Sequence, residues 1–283
     1  MTKTIAVTYA KGGIGKTTTT ISLGFDLALR GYKILLIDFD YNSSLSQYFA
    51  INTDASEISD YTLNQPNTIF EVMTGKCKPH EAITNIKFPK RSRIGYTPEN
   101  IVYDVIPCSQ AFMLIPDIIA TKTLRAEYLL KDAIKELVQS NYYDFILFDC
   151  PPSGGRLKMN ILVASDYVLF PCSPSIMSLR NLVDACQEII DIKSTSNPSI
   201  TEIGIFLTGM ANKKEHKRCE EEIENQDMIP VLNTRISNCS APFAEASDVL
   251  APVGYARSTS KPAIQYHQLG DEILNKLGFK LTK

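Results

Sequence analysis

Ile5-Ala6-Val7-Thr8-Tyr9-Ala10-Lys11-Gly12-Gly13-Ile14-Gly15-Lys16-Thr17-Thr18 opens the chain with a short apolar run, a glycine-rich loop and then a helical pattern. Glycine carries no Cβ, so Gly12, Gly13 and Gly15 let backbone N–H groups turn inward around an anion, and the following helix N-terminus adds its partial positive charge. Read from Ala10, the loop fits G-x-x-x-x-G-K-[ST] with alanine in place of the first glycine, and the strand–loop–helix context is the one that pattern requires. Lys16 is placed to neutralise β- and γ-phosphate oxygens and the Thr17 hydroxyl to bind Mg²⁺. Lys11, Ile14 and Thr18 complete the candidate nucleotide-binding segment.

Outward from this loop, short aliphatic runs alternate with longer stretches of helical period, the pattern of a parallel sheet wrapped by helices. Strands are predicted at 5–8, 34–37, 102–106, 145–148, 167–170, 203–207 and 230–232. Most are apolar throughout, as strands covered on both faces must be. Helices are predicted at 123–140, 178–195, 213–225 and 262–277. In the first crossover Ile21, Phe25, Ala28 and Leu29 share one face, with Gly31 as the stop. Residues 52–93, with Pro66, Pro79 and Pro89, read as loops and short helices. The expected fold is α/β: a P-loop NTPase with a mostly parallel, twisted sheet flanked by helices on both faces, forming one domain over 1–283.

Composition narrows the function. The chain has 283 residues, 44% hydrophobic and 21% charged, with a net charge of −2. Binding to nucleic acid would therefore need a local basic patch rather than the net field. The seven cysteines are scattered singly, without zinc-ligand spacing, which predicts a reducing cytoplasm. No apolar run approaches the ~20 residues that span a bilayer, and no signal peptide precedes the first strand.

Two further strand ends carry carboxylates. Leu35-Leu36-Ile37-Asp38-Phe39-Asp40 places Asp38 and Asp40 on one side of an extended chain, where ligands bind outside strand ends. Phe145-Ile146-Leu147-Phe148-Asp149 is four apolar residues ending in an acid, a Walker B arrangement in which Asp149 holds Mg²⁺ through water. Pro151-Pro152 then rigidify the exit into a candidate switch loop, 153–158.

Lys11-Gly-Gly-Ile-Gly-Lys-Thr-Thr resembles the deviant Walker A motif of the ParA/MinD family of partitioning and positioning ATPases. Asp38-Phe39-Asp40 and Asp149-Cys150-Pro151-Pro152 resemble its other two motifs. The likeness continues through Leu169-Phe170-Pro171, Pro174, Ser178-Leu179 and Ser240-Ala241-Pro242-Phe243. It implies that Lys11 reaches across an ATP-dependent dimer interface to the other subunit's nucleotide, that Asp40 positions the attacking water, and that Asp38 supports the Mg²⁺ shell. Regions near 208–212 and 233–236 flank the adenine in relatives, giving Met210 and Arg235 as contacts. The chain departs from the family at Tyr41-Asn42-Ser43-Ser44, where Pro-Gln-Gly-Asn is usual.

Within that family the ParA/Soj type implies a weak Mg·ATPase that dimerises with ATP, binds nonspecific double-stranded DNA and answers to a centromere-binding ParB-like adaptor. It would be cytoplasmic and nucleoid-associated. Lys213, Lys214, Lys217, Arg218, Arg257 and Lys261 are the candidate DNA contacts. The first strand begins near residue 4, so an N-terminal helix-turn-helix is not expected. The alternative is a MinD-like membrane switch, suggested by Ile273, Leu274, Leu277 and Leu281 on one face of the last helix. A nitrogenase-reductase-like protein would need a cluster of converging thiolates, and no second cysteine follows Cys150 in the adjoining loop.

Overall fold

The computed structural model describes residues 1–9, 12–51, 67–88, 101–122, 124–152 and 155–279, with the side chains of Ile176 and Leu179 excepted. In chain order the elements are β1 (Lys3–Val7), α1 (Lys16–Leu29), β2 (Ile34–Asp38), α2 (Ser44–Tyr48), α3 (Ile69–Thr74), β3 (Thr84–Asn85), β4 (Tyr103–Ile106), α4 (Ile115–Thr121), α5 (Leu129–Ala133), α6 (Lys135–Gln139) and β5 (Phe145–Asp149). They continue with α7 (Arg156–Val163), β6 (Tyr167–Cys172), α8 (Ile176–Thr195), β7 (Thr201–Met210), α9 (Lys214–Glu224), β8 (Val231–Ser237), α10 (Ser240–Asp248), α11 (Val253–Ala256) and α12 (Lys261–Lys276).

The strands form one sheet in the order β3-β4-β2-β5-β1-β6-β7-β8, parallel except for the short β3 at one edge. All seven expected strands are present. Successive side chains along a strand point to opposite faces, and the two cores follow that alternation. Ile34, Leu36, Phe145 and Leu147 pack with α1 and α12 on one face, while Leu35, Ile37, Ile146 and Phe148 pack with α3 to α8 on the other. Extending the first series puts Asp38 and Asp149 on the α1 face. This parity positions the site.

The structure corrects the sequence reading at four places. The stretch at 123–140 is not one helix but a 3-10 turn followed by α5 and α6, broken at Ile134 (φ −99°, ψ 7°). Buried Asn160 explains the start, because its side chain bonds both the Ala126 carbonyl and the Leu130 N–H and fixes a turn there. The candidate switch loop 153–158 ends early, since α7 begins at Arg156. Within 67–88 the supposed loop includes the antiparallel β3, while 52–66 and 89–93 lie outside the described residues. The membrane stripe is core: Ile273 and Leu274 are buried against α1 and β8. Leu281 lies outside the described residues, among which no helix is long and apolar enough to cross a membrane.

Candidate active site

β1 lies between β5 and β6, with β2 on the far side of β5, so the chain leaves β1 at the point where the strand order changes direction. Val7 and Asp38 both pair in register with Asp149. Three neighbouring strands thus end level, and the loop after β1 rises beside Asp149, with Asp38 one strand further on. Gly13 (φ +72°) and Gly15 (φ +85°) adopt the left-handed backbone that lets the loop curl, and Gly15 leads directly into the N-terminus of α1. The Thr208 hydroxyl, at the end of β7, donates to the Ile14 carbonyl at 2.8 Å and pins the loop's crown.

Lys16 and Thr17 then occupy the first turn of α1, beside the strand ends. The Thr17 hydroxyl donates to Asp149 Oδ2 at 2.7 Å. Asp149 is 1% exposed and Asp38 fully buried, so two carboxylates stand side by side out of water. Burial pushes the Asp38 carboxyl up to about 6, against the hydrogen bonds it accepts. Asp149 is pushed well above the usual range by burial and by Asp38. Lys16 is buried as well; desolvation lowers its pKa while Asp149 pulls the other way. An acid pair raised by burial, with a hydroxyl already on one of its oxygens, suits a hard divalent cation. No group of three or more His, Cys, Asp or Glu side chains forms a cation cage among the described residues. Mg²⁺ needs none, because it is held by one or two carboxylates with phosphate oxygens and water.

Asp38 also organises the loop that follows β2. Its Oδ1 accepts the Asp40 N–H at 3.0 Å, and its Oδ2 accepts both the N–H (3.0 Å) and the hydroxyl (2.7 Å) of Ser46. That hydroxyl in turn accepts the Cys108 N–H at 2.9 Å. Asp38 therefore clamps the whole 40–46 loop. Asp40 is half-buried, and its Oδ1 accepts both the backbone and side-chain N–H groups of Asn42 at 3.0 Å. Ser43 adopts φ +53°, a glycine-like backbone at the position where the family has glycine, and its hydroxyl donates to the Cys108 carbonyl at 3.0 Å. Tyr41-Asn42-Ser43-Ser44 thus turns through a non-glycine residue held by a buried hydrogen bond.

Gly12, Gly13, Ile14, Gly15, Lys16, Thr17, Thr18, Asp38, Asp40 and Asp149 converge on this end of the sheet. Lys11 lies outside the described residues. Met210 ends β7, two residues beyond Thr208. Arg235 is not directed at the loop: its guanidinium is bound by Glu220 and Glu224 of α9. Ser46, Tyr9 and Thr208 were missed, since single hydroxyls far apart in sequence carry no motif.

Comparison with known proteins follows the same outline. The profile of the AAA_31 family, described as an AAA domain, matches residues 2–202. The sporulation initiation inhibitor protein Soj of Bacillus subtilis is 31% identical over 208 residues, 74% of this chain and 73% of Soj. The chromosome-partitioning ATPase Soj of Treponema pallidum is 28% identical over 282 residues, 98% of this chain and 99% of its own. Among solved structures, cobyrinic acid a,c-diamide synthase from Mycobacterium smegmatis, with bound ATP analogue and magnesium, superimposes with a TM-score of 0.79 at 25% identity, covering 98% of this chain and 96% of that one.

Proposed function

The chain belongs to the ParA/MinD family of ATPases, and on that premise we propose that it is a partition-type Mg·ATPase, one domain over 1–283, that dimerises around ATP and binds duplex DNA in that state. The observation that carries the reading is the 2.7 Å contact of Thr17 with buried Asp149, level with buried Asp38 and beside Lys16. Full-length similarity to a chromosome-partitioning ATPase supports the cellular role.

The backbone N–H groups of 12–17 and the Lys16 ammonium would hold the phosphates; Thr17 and Asp149 would hold Mg²⁺. Magnesium, when bound, offsets charge on the transferring phosphoryl. Asp38 anchors the 40–46 loop beneath it, which gives Asp40 a fixed base from which to orient water. Lys11 of the partner subunit would bring a second cation to the γ-phosphate, as an arginine finger does. Met210, two residues beyond the Thr208 that bonds the loop, would be the adenine contact. A ParB-like adaptor and DNA would raise the slow basal rate, and the protein would be cytoplasmic and nucleoid-associated.

Steady-state hydrolysis and nucleotide binding test this together. Lys16→Ala should abolish binding of Mg·ATP. Asp40→Ala should bind it normally, lose about 10²-fold or more in turnover and accumulate as an ATP dimer on gel filtration. Wild-type turnover by Asp40→Ala would remove Asp40 from the water-positioning role.

A further inference from the structure

One charge pair, a buried lysine with a half-buried glutamate, lies on the opposite face of the sheet from Asp149 and has no part in the chemistry above. Lys158, in the first turn of α7, is 3% exposed and forms an ion pair with Glu188 of α8. Burying an ammonium costs several kcal/mol, and an apolar residue of similar volume often serves stability as well. Lys158 is the third residue of α7, the first element after β5, so the pair joins α8 to the helix that follows the Walker B strand.

The same helix is tied to the other phosphate-facing loop. Tyr9, wholly buried and three residues before Gly12, donates its hydroxyl to the Ser178 carbonyl in the first turn of α8. Asp149 faces α1, whereas the next residue, Cys150, and Tyr9, two residues past the end of β1, belong to the core on the α8 face. Ser178 and Glu188 stand ten residues apart on one continuous helix, about 15 Å along its axis. One helix therefore touches both the chain just before the phosphate loop and the first turn of the helix that follows the Walker B strand.

We propose that Lys158 and Glu188 are positioning residues which, with the Tyr9–Ser178 contact, make α8 the coupling between the two loops, so that nucleotide held at one is registered at the other. The inference rests on the ATPase reading and adds a site outside the three motifs.

Hydrogen–deuterium exchange on the full chain, with and without Mg·ATP and Mg·ADP, reads the coupling directly, and turnover is measured alongside. In the wild type, nucleotide should slow exchange in 12–29 and also across 176–195. Glu188→Gln should bind nucleotide within about threefold of wild type and keep protection of 12–29, but lose it across 176–195, with kcat down about tenfold and KM little changed. The charge swap Lys158→Glu with Glu188→Lys should restore both. Lys158→Met, an apolar replacement of similar length, gives the same test if Glu188→Gln melts early. Unchanged protection and kcat in either single variant would overturn the proposal, as would a swap that melts like wild type yet restores neither. A wild type that binds nucleotide without hydrolysing it would sink the ATPase reading, while the exchange pattern still decides the coupling.

Discussion

Ser46 has the strongest claim of any single residue outside the motifs. Its buried hydroxyl donates to Asp38 and accepts from the Cys108 N–H, so Ser46→Ala would leave a buried carboxylate oxygen short of a donor and a backbone N–H without its acceptor. Each unsatisfied buried group costs about 1–3 kcal/mol. We expect Ser46→Ala to lower unfolding free energy by roughly 2–4 kcal/mol on that basis, measured by urea denaturation. Asp38 itself makes the protein's stability depend on pH. Its folded pKa is raised, so the neutral form is the one the fold favours. That contribution is complete below the unfolded carboxyl value of about 3.9 and is lost as pH rises through about 6. Ligand-free protein should melt lower at pH 7.5 than at pH 5 through this pair, and the stabilisation by Mg·ATP should be larger at pH 7.5. Asp38→Asn should flatten the difference; equal slopes for wild type and variant in thermal melts would refute the assignment.

Between elements, the contact that matters most to the site is that of α1 with α12, because α1 carries Lys16 and Thr17. Gly270 of α12 lies against Asp26 of α1: a Cβ there would come within 2.3 Å of Asp26 Oδ2. Asp26 is buried and holds Arg30 and His267, and Arg30 also reaches Asp271. Gly270→Ala must displace this charged network or part the helices, and overpacking of this kind costs about 1–3 kcal/mol. The expected result is a lower denaturation midpoint with weaker nucleotide binding, whereas a wild-type midpoint would show that the helices part freely. Nothing in the sequence announces this packing. Apolar strands and the glycine loop were legible because periodicity and turn chemistry act over a few residues. The 3-10 turn that opens the stretch at 126–128 was not, because Asn160 sets it from about thirty residues away. The site divides in the same way: Lys16, Thr17, Asp38 and Asp149 follow from motif and strand parity, while Ser46 and Thr208 emerge only when the chain is folded.

Across the whole molecule, acidic residues slightly outnumber basic ones, so any attraction to DNA has to come from how charge is sorted on the surface. Helix α9 shows such sorting. Its acidic half is used internally: Glu220 and Glu224 bind Arg235, and Glu222 pairs with Arg218. Lys213, Lys214 and Lys217 at the other end are exposed, and no ion pair among the described residues holds them. Arg257, by contrast, faces Glu245 at 3.8 Å. Arg235 thus neutralises two of the α9 carboxylates, Glu220 and Glu224. Replacing Lys213, Lys214 and Lys217 by glutamine should leave ATP turnover without DNA unchanged. It should weaken ATP-dependent binding to unrelated duplexes and make log K against log salt shallower, by about 0.9 for each phosphate no longer neutralised. A fluorescence-anisotropy titration at several salt concentrations measures both quantities. A triple variant with the wild-type slope would move the DNA surface off α9, and wild-type protein that binds duplexes without ATP would separate DNA binding from the nucleotide switch altogether.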